Sequence, residues 1–97
     1  MSPENPKIEY WQMAPEQQIE YDISGFEEMA REIYQAEAAK FFLDQLKKNS
    51  AALTENHRQR LLATCEEGMK SNPKNSKEWL LFRRFKEEDI PRLFQSP

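Results

Sequence analysis

A chain of 97 residues has room for one domain and buries only a modest share of its surface, so its stability is marginal and oligomerisation is a natural supplement. Apolar residues make up 38% and charged residues 32%, and six Phe, three Tyr and two Trp exclude a wholly disordered chain. The net charge of −3 excludes a surface given over throughout to nucleic acid.

Valine is absent and threonine occurs only at Thr54 and Thr64, whereas Leu, Ala, Glu, Gln, Lys and Arg dominate. β-branched residues favour pleated strands and the dominant set favours helices, so composition points to a mainly α fold. Residues 1–50 carry five Lys/Arg against ten Asp/Glu; residues 51–97 carry nine against seven. The acidic first half and mildly basic second half can attract each other within a protomer or between protomers. The alternative is two ordinary solvated surfaces.

Residues 1–6 hold Pro3 and Pro6 and read as a tail. In residues 7–23, Ile8 and Tyr10 alternate with polar neighbours, as do Ile19, Tyr21 and Ile23, with Pro15 between the two sets. This pattern suits a short β-hairpin in which Ile8 and Tyr10 face Tyr21 and Ile23. An extended arm, or a short helix starting at Pro15, competes with it.

Ser24-Gly25-Phe26-Glu27 has the form of a capping box and predicts a helix from about Gly25 to Lys48. Lys47 and Lys48 suit the negative end of its dipole. Phe26, Met29, Ala30 and Ile33 form one stripe, and Ala39, Phe42, Leu43 and Leu46 form another about half a turn away. Either the two halves pack on different elements, or one of them meets another molecule.

Thr54 is placed to cap a second helix, from about Glu55 to Lys70, with Leu61, Leu62, Cys65 and Met69 inward and Arg58 at the edge. Glu55, Gln59, Thr64 and Glu66 face away, and Gly68 marks a weak last turn. After the loop Ser71–Asn75, Ser76 caps a third segment from Lys77 to about Lys86. Its apolar residues, Trp79, Leu80, Leu81, Phe82 and Phe85, point nearly all round, as expected of a buried or partner-covered helix. Asp89 is placed to cap a final turn containing Pro91.

Catalytic chemistry finds little to work with. His57 is the only histidine, and Cys65, eight residues on, lies about 12 Å further along the same helix. These two cannot act as a nucleophile–base pair while that helix is intact. Glu66-Glu67 and Glu87-Glu88-Asp89 are neighbours that diverge on a helix, so they do not converge on a metal. Two glycines cannot build a phosphate loop. The chain is therefore read as non-enzymatic, with no cofactor and no metal.

One cysteine forms no internal disulfide, the first residues lack a signal-peptide pattern, and the longest apolar run, Trp79 to Phe82, cannot span a bilayer. A reducing, cytoplasmic setting away from the membrane follows as an expectation.

The resulting expectation is an N-terminal arm or hairpin at residues 1–23 and a small three-helix domain at 24–97. Its function is read as protein–protein interaction, in a small regulator, adaptor or accessory subunit, with a homodimer as one form. Tyr10, Trp11, Phe42, Leu46, Trp79 and Phe82 are the candidate partner-binding residues, because aromatic side chains anchor interfaces. The alternative is a nucleic-acid-binding accessory protein. It would use Arg83, Arg84 and Lys86, interleaved with aromatics that can stack on bases.

Overall fold

The computed structural model describes residues 9–31 and 36–95. After a 3₁₀ turn at Tyr10–Gln12, helices α1 (Pro15–Arg31), α2 (Ala36–Leu46) and α3 (Glu55–Ser71) follow, with a second 3₁₀ segment, Lys47–Ala52, between α2 and α3. Helix α4 (Lys77–Arg84) runs through a π-helical turn, Phe85–Asp89, directly into α5 (Ile90–Leu93). Counting that last rod once, the described residues form four helices and no strand. None of them is long and apolar enough to cross a membrane.

The mainly α class holds, but several expected details do not. The hairpin is replaced by helix: α1 begins at Pro15, whose fixed φ suits a first helical turn. Alternation misleads here because Ile19, Ile23 and Phe26 also fit a helical stripe. All three are fully buried, while Tyr21, which a strand would place beside Ile19 and Ile23, is 54% exposed. Tyr10 does meet Tyr21, edge to face at 5.6 Å between ring centroids, as the hairpin required. Ile8 lies outside the described residues.

Ser24 caps nothing. It sits in mid-α1, where its hydroxyl donates to Glu20, and Glu27 is engaged by Arg60 instead. The single helix expected over residues 25–48 is two. Helix α2 lies antiparallel to α1: Phe42 meets Tyr21 and Gly25, and Asn49 donates to Gln18 at 2.9 Å. The half-turn change of apolar face is thus internal packing: each half buries its own stripe in one core. Ile33 lies outside the described residues. Helix α1 also runs unbroken through position 23, where the sequence reading divides arm from helical domain.

Helix α3 starts where expected, with Thr54 accepting from the His57 amide at 3.4 Å. His57 completes the cap by accepting the Thr54 amide on Nδ1 at 3.0 Å, the part usually taken by Glu or Gln. Thr64, expected to face out, is buried and donates to the Arg60 carbonyl. Gly68 does not end α3. It is buried inside it, beneath Phe82.

Ser76 caps α4 by accepting from the Trp79 amide at 3.2 Å. Asp89 makes no cap, because the helix does not stop there. Pro91 lacks an N–H, and its ring would crowd the carbonyl four residues back. The widened turn just before it, in which the Ile90 amide reaches the Phe85 carbonyl, lets the rod continue.

The core is centred on Phe26, Phe82 and Phe85. Phe85 meets both other rings edge to face, at 5.8 and 5.9 Å. Charged pairs tie the helices together outside it. Arg60 of α3 grips Glu27 through Nε and Nη2 (3.2 and 2.8 Å) and Glu20 through Nη1 (2.7 Å), both on α1. Lys77 of α4 pairs with Glu37 of α2 at 2.6 Å, and Lys86 pairs with Glu66 of α3.

Candidate functional site

The candidate residues read from the sequence divide into core and surface. Leu46 and Phe82 are fully buried and hold the core, so neither offers a surface to a partner. Trp79 is half-buried, with the Arg83 guanidinium 5.7 Å from its ring centre. Arg83 also pairs with Glu87, and Lys86 with Glu66, so carboxylates answer two of the three cations of the nucleic-acid alternative. Arg84 is exposed.

Tyr10 is committed to the fold. Its hydroxyl donates to Asp22 at 2.5 Å, its carbonyl accepts from Gln18, and Lys48 lies 5.3 Å from its ring centre. Asp22 is fully buried, and its other oxygen, Oδ1, has no hydrogen-bond partner among the described residues. Burial raises the Asp22 carboxyl above its ordinary value, and the Tyr10 hydrogen bond and the charge of Lys48 work against that rise. The same burial and the neighbouring carboxylate push the Tyr10 phenol up. This anchor leaves Trp11, one residue later, 74% exposed.

Of the sequence candidates, Phe42 falls on a surface feature. It closes a shallow groove of about 680 Å³ between α1 and α2, lined also by Met13, Tyr21, Gly25 and Met29. Gly25 makes the groove possible. A Cβ there would lie 2.4 Å from the Phe42 ring, so any other residue would force that ring out of its present place. Next to the groove, Phe41 stands edge to face on Phe42 at 5.4 Å and is 58% exposed.

Tyr21, Met29 and Phe41 are absent from the sequence candidates. Their signal is present but faint. Tyr21 and Phe41 lie off the stripes that their own helices bury, so a large apolar side chain there is either wasted or used, whereas Met29 lies on the stripe with Phe26 and is partly buried. The buried stripes could be drawn in full only once residues 15–48 were seen as two helices.

The charges on either side of this face differ in sign. Glu20 and Glu28 border the α1–α2 groove, Glu20 being paired with Arg60, and no cation among the described residues lines it. A second groove of about 560 Å³, between α2 and α4, is lined by Leu80, Leu81, Lys40, Lys77 and Arg84 against the single carboxylate of Glu37. Leu80 is 46% exposed.

Groups suited to catalysis are not brought together. His57 is spent on the α3 cap, and burial pushes the Cys65 thiol up to about 12, where it is a poor nucleophile. Among the described residues no three His, Cys, Asp or Glu side chains gather as metal ligands.

No protein-family model matches the chain, and no curated protein and no solved structure shows significant similarity to it.

Proposed function

We propose that this chain is a non-enzymatic protein-binding module, a small regulator, adaptor or accessory subunit, and that the outer face of α1 and α2 is the surface it presents. One observation carries this reading. Tyr21 and Phe41, two large apolar side chains more than half exposed, stand beside Phe42 and the Met-lined groove. Soluble chains seldom leave such groups contiguous unless something covers them. Aromatic and methionine side chains are also enriched at the centres of interfaces, where they give area at low entropic cost or adapt in shape.

The test is capture from cell extract by the tagged chain, with and without nuclease, for the wild type and for Phe41→Ser with Tyr21→Ser. The expected result is a protein held through nuclease treatment by the wild type and lost by the double variant. Capture that needs intact nucleic acid and ignores the double variant would overturn the reading in favour of the Arg83–Arg84 face.

A further inference from the structure

On the wheel of α2, the buried positions Ala36, Ala39, Leu43 and Leu46 mark the inward direction. At about 100° per residue, Phe41 points opposite to it. Phe42 turns from there towards α1, and Lys40 and Glu37 turn towards α4. Phe41 therefore stands on the ridge between two apolar grooves. One is bordered by two carboxylates, the other by three cations and one carboxylate. Within the chain Glu20 is paired with Arg60, Lys77 with Glu37 and Lys40 with Asp44, so the charges left unanswered among the described residues at the two edges are Glu28 on one side of Phe41 and Arg84 on the other.

A twofold axis through the middle of such a face lays the Glu28 edge of one copy on the Arg84 edge of another, twice. Self-complementarity of this kind is what an isologous interface demands. A foreign partner would need to be built with the opposite polarity, whereas a second copy already has it. The small size of the chain adds a reason, since domains of this length gain stability by association.

We propose that the occupant of this face is a second copy of the chain, docked about a twofold axis beside Phe41, with Glu28 of each copy against Arg84 of the other. This rests on the reading above that the face binds protein. Glu28 and Arg84 are the probes of choice, because both are exposed and neither forms an ion pair with another described residue.

Sedimentation velocity over a concentration series tests it, with circular dichroism to check that each variant is folded. The wild type should sediment as a dimer in the micromolar range. Phe41→Ser should weaken the dimer at least about tenfold, the effect of losing one well-placed interface anchor. Glu28→Arg and Arg84→Glu should each weaken it on their own. Mixed together, they should recover it, because each reversed edge then meets an opposite charge.

A wild type that stays monomeric at about 1 mM, where affinity would be negligible, overturns the proposal. So does a dimer indifferent to Phe41→Ser, or a mixture that recovers nothing. A monomer that still captures another protein through Phe41 and Tyr21 overturns the second copy alone and leaves the protein-binding reading intact. A monomer whose captures ignore those residues removes both.

Discussion

Phe82 rests on the backbone of α3 at Gly68, where a Cβ would lie 2.5 Å from the ring. Gly25 stands in the same relation to Phe42, where a Cβ would lie 2.4 Å from the ring. Both glycines of the chain thus serve as seats for a phenylalanine from a neighbouring helix, and neither is needed for a turn. The two seats differ in how far their ring can give way. Phe82 is fully buried, whereas Phe42 lies at the surface.

Gly68→Ala should therefore destabilise the protein by about 1–3 kcal/mol, the range for overpacking a filled core, despite the better helix propensity of alanine. Gly25→Ala should cost less, because Phe42 can swing outward. Urea unfolding of the two variants checks the order. Equal losses would mean that Phe42 is held as firmly as Phe82.

Core and face should separate under mutation. Phe82→Ala removes a buried ring at the centre of the molecule and should cost about 3–5 kcal/mol, a large part of the stability of a small domain. Phe41→Ser, on an exposed position, should change stability by about 0.5 kcal/mol or less when both proteins are compared at a concentration low enough to be monomeric. Thermal unfolding of both variants is the measurement.

The Tyr10–Asp22 bond should be visible in the pH dependence of stability. Folding raises the Asp22 carboxyl, so the native state holds its proton longer than the unfolded chain does. Stability from this group is therefore present below the ordinary aspartate value of 3.8 and declines as pH rises from there through the raised value. Tyr10→Phe removes the bond that opposes the rise, so it should steepen the decline. It should also cost about 1.5–3 kcal/mol at neutral pH, as expected for a hydrogen bond to a charged group. Urea midpoints between pH 3 and 7 for wild type and variant report both effects.

Arg60 acts in the opposite sense. Its guanidinium hydrogen-bonds Glu20 and holds that carboxyl below its ordinary value of 4.5. A lowered carboxylate stabilises the fold above its unfolded value, and that contribution is lost as pH falls through the folded value. Arg60→Ala should destabilise by about 1 kcal/mol at neutral pH, since the site is partly open to solvent. The loss should shrink in acid. A loss independent of pH between 3 and 6 would show that the arginine acts through its aliphatic stem.

Cys65 is fully buried, and burial pushes its thiol up to about 12. A disulfide reagent at pH 8 should leave it unmodified in the native protein and modify it fully in denaturant. The slow native reaction should follow the unfolding equilibrium, and fast labelling without denaturant would contradict the packing of α3 against the π turn.

Local chemistry alone determined several features of this chain. Helical class follows from composition. Thr54 and Ser76 mark their helix starts because a cap needs only a hydroxyl and an amide a few residues on. The inward face of α3 at Leu61 and Cys65 follows from spacing on one helix.

What only the tertiary structure decided involves residues far apart in the chain. Ser24 carries the local signature of a helix start, yet a helix already runs through it because Ile19, Ile23 and Phe26 find one core together. Glu27, free in sequence to reach back to Ser24, is taken by Arg60, 33 residues away. Leu46 and Phe82 look like anchors for a partner until the neighbouring helices bury them. Tyr21 and Phe41 stand out as a surface only once those same helices have turned their own stripes inward and left these two outside. Burial is a property of the assembled helices, so the identity of the exposed face could not be read before α1 and α2 had folded against each other.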